Sequence, residues 1–215
     1  MLENKLREPI NSVAHLSGAI FFFLGTIFLL ILQVLEDSTP SRIAGVAIFG
    51  TSMVLLYLAS GIYHGYKGSP AVIGILKKLD HSMIYVLIAG SYTPMCLQVL
   101  DGKKRIIILG IIWAIVIVGI ITKIFIKGIP RPVYTSFYLI MGWIVVFFIG
   151  DVHRGLPGFG FFLLALGGIL YSIGGVIYML KRPNPSRFIG FHELFHIFIL
   201  GGSLSHYIMV FAYLR

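Results

Sequence analysis

FHELFHIFILGGSLSHYIMVFAYL, residues 191–214, is the stretch whose reading decides the fold. Its one Asp, Glu, Lys or Arg is Glu193, and a helix of this length crosses the hydrocarbon core of a bilayer, which takes about 20 residues. His192 and His196 are four residues apart, so on a helix they stand one turn above each other on the same face. Two imidazoles so spaced can close on one divalent zinc ion, which favours nitrogen ligands and a tetrahedral shell. The alternative is a pair of interfacial histidines where the helix meets water. An ionisable side chain within a membrane segment is costly, which favours the functional reading.

Working outward, the whole chain repeats this apolar character. Of 215 residues, 58% are hydrophobic and only 12% charged, against about a quarter charged in soluble domains. Seven stretches read as spans, at about 13–35, 43–64, 81–100, 106–126, 133–150, 159–180 and 191–214. Long continuous apolar runs, rather than ten-residue alternating ones, exclude a closed β-barrel. The expectation is an all-α integral membrane protein: one domain, residues 1–215, forming a seven-transmembrane-helix bundle. Breakers fall between the runs, at Pro40, Pro70, Gly102, Pro130, Pro132, Pro157, Pro183 and Pro185. The first run is too long for a secretory signal and lacks a small-residue cleavage site, so it reads as a retained span.

The net charge of +9 is spread over the connections rather than gathered in one patch. It therefore reads as a topology signal and as contacts to anionic headgroups, not as a nucleic-acid footprint. One face carries eleven basic residues: Lys5, Arg7, Lys67, Lys77, Lys78, Lys123, Lys127, Arg131, Lys181, Arg182 and Arg187. The opposite face carries six: Arg42, Lys103, Lys104, Arg105, Arg154 and Arg215. The richer face is expected in the cytoplasm, with the amino terminus inside and the carboxyl terminus outside. Lys103-Lys104-Arg105 is the cluster that runs against this rule. Cys96 is the sole cysteine, so no intramolecular disulfide forms.

With that topology, Ser60, His64, Asp80, His192 and His196 reach a similar depth on three different helices. Three neutral histidines and an open position are the usual plan of a catalytic zinc site, so His64 joins His192 and His196 as a candidate metal ligand. Asp80 is a candidate base or water-orienting group, and Ser60, one turn above His64, a candidate hydrogen-bond donor. Each has a plainer reading: Asp80 as a cap of the third helix, Ser60 bonded to its own helix backbone, His64 as interfacial. Two other arrangements of the same residues compete. His192-Glu193-Leu194-Phe195-His196 matches H-E-x-x-H, the motif of zinc proteases with the glutamate as base, while Glu193 also suits a first-turn dipole role. A Ser60–His64–Asp80 triad lacks any nucleophile elbow.

Quieter features complete the reading. Glu8, Asn11, Ser12 and His15 form a polar stripe on the first span, facing either the bundle or the headgroups. Ser203 and His206 suggest interhelical hydrogen bonds. His81 and His153 look interfacial. Gly167-Gly168 and Gly174-Gly175 are expected at close helix approaches.

Ser60-x3-His64, Asp80 and His192-x3-His196, on the second, third and seventh spans, together resemble the progestin and adiponectin receptor superfamily. The segment Glu8-Pro9-Ile10-Asn11-Ser12-Val13-Ala14-His15 is most similar to its bacterial hemolysin III branch. That resemblance implies a heptahelical bundle with its amino terminus inside and Zn2+ on His64, His192 and His196. It implies Asp80 beside the metal-bound water, with Ser60 close by. Relatives are linked to hydrolysis of lipid amides, so a metal-dependent lipid amide or ester hydrolase of the bacterial plasma membrane is the leading expectation. Membrane lipids are the expected substrates, and no protein partner is implied. A non-enzymatic membrane-perturbing or homeostasis protein with a structural zinc comes second and an intramembrane zinc protease third. Nothing resembles the receptors' long amino-terminal extension, so a hormone-binding role does not transfer.

Overall fold

The computed structural model describes residues 6–126, 128–186 and 189–215. Lys5, Lys127 and Arg187, counted above in the basic face, lie outside the described residues. Among the described residues the regular elements are helical: α1 (Pro9–Leu35), α2 (Pro40–Gly65), α3 (Pro70–Val99), α4 (Gly102–Phe125), α5 (Arg131–Trp143), α6 (Ile149–Gly155), α7 (Gly158–Leu180) and α8 (Phe191–Met209). A 3-10 segment, Ile144–Phe148, joins α5 to α6, and a π-helical turn, Val210–Leu214, ends the chain. Proline opens α1, α2 and α3, where its fixed φ suits the first turn and its missing N–H leaves no bond unmade.

Among the described residues six rods are long and apolar enough to cross a membrane: α1, α2, α4, the α5–α6 rod, α7 and α8 with its π-helical turn. The chain is a multi-pass membrane protein. Its outer surface shows why: Phe147, Leu35 and Phe125 are 88%, 76% and 74% exposed, and only lipid tails solvate such a belt without penalty. α3 falls outside the set. It starts at Pro70, where Ser69 Oγ accepts the Val72 N–H at 3.4 Å, eleven residues before the expected boundary at His81. Lys77, Lys78 and Asp80 thus ride within a helix instead of a loop. Asp80 is no cap.

Helices α1 to α4 pack consecutively, α7 lies along α8, and α5 lies along α7. The α5–α6 rod breaks because Tyr92 of α3 intrudes on its ladder. The Tyr92 hydroxyl donates to Gly142 O at 2.7 Å and accepts from Val145 N at 2.8 Å. An inserted side chain is a recognised cause of a helix break. Glycines set the tightest approaches. Gly61 and Gly65, one turn apart on α2, leave room for Leu16 and Ser12 of α1, and Ser12 Oγ donates to Gly61 O at 2.9 Å. Gly167 lies against the His206 ring, Gly174 against Phe198 and Gly175 against Leu139. Gly168 meets no such neighbour and lines a cavity instead.

His81 is not interfacial: it is buried, its ring 5.2 Å from that of Tyr134, and its carbonyl accepts from Tyr138 at 3.0 Å. The start of α3 inside the bundle carries it inward. Ser203 and His206 do join helices. Tyr57 donates to Ser203 at 2.6 Å, Tyr171 is within 2.8 Å of the same hydroxyl, and His206 Nε2 is 3.3 Å from Leu164 O.

Candidate metal centre

The site begins with the approach of α1 to α2. A helix leaves its last four carbonyls without intrahelical partners. Those of His64 and Gly65 are taken by the chain entering α1: Glu8 N–H donates to His64 O at 2.9 Å and Arg7 N–H to Gly65 O at 3.3 Å. This backbone splice puts the Glu8 carboxylate on the His64 ring. Glu8 Oε2 is 2.7 Å from His64 Nδ1. With the carboxylate accepting, Nδ1 carries the hydrogen and the Nε2 lone pair points the other way, the arrangement that orients metal-ligating histidines. His64 Nε2 is buried and has no hydrogen-bond partner.

α8 brings the other two rings. His192 and His196 have ring centroids 4.6 Å apart, and those of His64 lie 5.1 and 4.8 Å from them. One ligand nitrogen from each of the three falls within 4.8 Å of the others. The Nε2 atoms of His192 and His196 are 3.2 Å apart. Two nitrogens on a tetrahedral shell of radius about 2.0–2.1 Å stand about 3.3 Å apart, so the pair fits one edge of a zinc polyhedron. Three imidazole nitrogens, one of them aimed and orphaned, suit a divalent transition metal.

Burial raises the Glu8 pKa, but the hydrogen bonds it accepts from His64 and Asn11 outweigh this and hold it below the usual carboxylate range. Glu8 is a carboxylate at any physiological pH. Asn11 continues the network, donating to Glu8 Oε2 at 3.3 Å and to Glu193 Oε1 at 2.9 Å. Glu193 Oε2 accepts the Gly190 N–H at 2.9 Å. Both Glu193 oxygens are thus engaged in closing the first turn of α8 and tying it to α1.

Ser60 and Asp80 share a cavity of about 690 Å3 with His192 and His196. Asp80 stands within electrostatic reach of His64 and Ser60. Ser60 Oγ is buried beside Asp80 and makes no hydrogen bond to its own helix. A Ser60–His64–Asp80 triad is not assembled, because Glu8 holds the ring nitrogen such a triad would use. Beyond these groups the cavity runs between α3, α5, α7 and α8 along mostly apolar walls.

His15, the last residue of the polar stripe, lies at the centre. It is 2% exposed, its ring 4.0 Å from that of His196, with neither ring nitrogen partnered. The i, i+3, i+4, i+7 spacing of Glu8, Asn11, Ser12 and His15 was the signal. The last three of these are buried, so the stripe faces the bundle.

A multi-pass helical membrane protein with a three-histidine centre at one end of its bundle is the class these features define. The chain matches the Haemolysin-III related family over residues 4–207 and belongs to it. It is 38% identical over 206 residues to hemolysin-3 of Bacillus cereus, covering 96% of this chain and 91% of that one. It is also 38% identical over 207 residues to a hemolysin-3 homolog of Bacillus subtilis (strain 168), covering 96% and 93%. Both fold and family place it in the bacterial plasma membrane.

Proposed function

We propose that this protein is a zinc-dependent hydrolase of amide or ester bonds in membrane lipids, built as one seven-span domain with its amino terminus in the cytoplasm. The observation that carries the reading is the joining of the three-histidine group to a long, largely apolar cavity with one carboxylate, Asp80, on the wall near the histidines. His64, His192 and His196 would hold the ion, which when bound supplies Lewis acidity and a strong nucleophile near neutral pH. Asp80 takes the proton released as the nucleophile attacks the acyl carbon and returns it to the departing amine or alkoxide. Ser60, buried beside Asp80, donates a hydrogen bond to the acyl oxygen. The apolar walls hold the chain and exclude bulk water, and a volume of this size is usual for small-molecule sites.

A group of three protein ligands among the described residues favours catalysis, because a structural site is normally closed by a fourth. The relatives' name, hemolysin-3, is what favours the second reading, a membrane-perturbing or homeostasis protein in which the ion is structural. The protease reading has less support, since both oxygens of Glu193 are already engaged.

The test is metal content and turnover together. Purified protein should carry about one zinc per chain, lost from His64→Ala, His192→Ala and His196→Ala. It should release free fatty acid from bacterial lipid extracts. Asp80→Asn should abolish release while keeping the metal. Metal without release above the His192→Ala background, across a broad lipid panel, would favour the structural reading.

A further inference from the structure

A second cavity, of about 780 Å3, opens at the same end of the bundle. It lies where the start of α3, the end of α4, the start of α5 and the end of α7 converge. Lys77, Lys78, Lys123, Arg131 and Lys181 line it with His81, and among the described residues that line it none is Asp or Glu. The five cations come from α3, the end of α4, the first residue of α5 and the C-cap of α7. Among the described residues they form no ion pair with a carboxylate. Asp80 is within electrostatic reach of Lys123 but lines the metal cavity instead.

Several of these cations are fixed in place. Lys123 Nζ sits 3.9 Å above the Tyr134 ring, and Lys78 Nζ donates to Ile124 O at 2.8 Å. Arg131 lies 4.4 Å over the Tyr178 ring and 5.4 Å over that of Phe191. The basic cluster at the other end is handled differently. Lys104 pairs with Asp151, and Arg105 approaches Asp101 at 3.9 Å. At that end Lys104, Arg105, Arg154 and Arg215 all have carboxylate partners, whereas these five cations converge on an open cavity without one among the described residues.

Lys77, His81, Arg131 and Tyr134 line both cavities. A molecule with a negative head and an apolar tail could therefore place its head among the cations and its tail along the apolar walls. We propose that this basic cavity is a second binding site, which takes the phosphate group of an anionic phospholipid. Clustered Lys and Arg at a membrane surface attract such headgroups, and arginine stacked on a ring keeps its planar fork of donors set for phosphate oxygens. The site does not depend on hydrolysis at the histidines, so the two can fail separately.

The probe is dioleoylphosphatidylglycerol titrated into purified full-length protein in phosphatidylcholine nanodiscs, read as bound lipid per chain by native mass spectrometry. One phosphatidylglycerol per chain should saturate above the neutral background. Lys77→Gln/Lys181→Gln, at positions whose side-chain nitrogens make no hydrogen bond among the described residues, should weaken it by about tenfold. Lys123→Gln/Arg131→Gln should do the same, with a thermal melt checking its fold. Lys103→Gln/Lys104→Gln, which removes the same charge from the opposite end, should change binding less than about twofold. Equal losses in pocket and opposite-end variants, or no loss in the Lys77/Lys181 pair, would overturn the proposal. Inorganic phosphate forms a second arm. Its saturable binding with no preference for phosphatidylglycerol over phosphatidylcholine would assign the cavity to a free anion and overturn the lipid.

Discussion

Replacing Glu8 with Gln keeps the shape of the side chain and removes the charge that holds His64. The bond concerned is short, 2.7 Å from Glu8 Oε2 to His64 Nδ1. A hydrogen bond to an ionised group contributes about 1.5–3 kcal/mol. At about 1.4 kcal/mol per factor of ten this corresponds to roughly 10–100-fold in metal affinity, the range found when a histidine ligand loses its orienting partner. The amide can still accept through its oxygen, so Glu8→Gln should fall near tenfold and Glu8→Ala nearer a hundredfold. The assay is competition for zinc against a chromophoric chelator in detergent micelles. Glu193→Gln is the comparison: it disturbs the same network through Asn11 but leaves the His64 bond intact, and should shift affinity by less than about threefold. Wild-type affinity in Glu8→Gln, or equal losses in the two variants, would refute the idea that Glu8 aims His64.

A reporter fused after Arg215 should read out on the far side of the plasma membrane from the cytoplasm; a cytoplasmic signal would invert the assignment of the basic face. Glu193→Gln should lower stability by only about 0.3–1 kcal/mol through the weakened first turn of α8 and keep appreciable hydrolysis. A dead Glu193→Gln beside an active Asp80→Asn would move the chemistry to the protease motif. Gly167→Val places a branched side chain where the His206 ring now lies. Overpacking of this kind costs about 1–3 kcal/mol, read as a lower melting temperature, whereas Gly168→Ala, facing open space, should leave it unchanged.

The helices were legible because their apolar lengths match a bilayer, a signal that needs no partner to read. The boundary of α3 was not legible, because charged residues ordinarily mark a loop. Lys77, Lys78 and Asp80 are polar for the sake of two cavities that exist only once α5 and α7 are packed. The histidine trio was legible because two members share a helical face and the third stands one turn from a serine. Glu8 was seen as one residue of a stripe, while its grip on His64 came from a backbone splice, Glu8 N to His64 O, which side-chain patterning does not encode. Tyr92 left no sequence mark at all. A tyrosine in an apolar helix looks like packing until a neighbouring rod offers it a carbonyl and an amide.

The ligands come from α2 and α8, and His192 is made 128 residues after His64. At a synthesis rate of about 5–20 residues per second, His64 waits roughly 6–25 s for its partners. During that interval α1 and α2 are already present, so Glu8 can hold the lone imidazole in its final tautomer before there is anything to share an ion with. The three-histidine group is incomplete until the last helix has left the ribosome and entered the bilayer. On the proposed reading, capture of an ion is therefore the closing event of biogenesis. A chain truncated before residue 191 should emerge from the insertion machinery with its first helices paired and its centre empty.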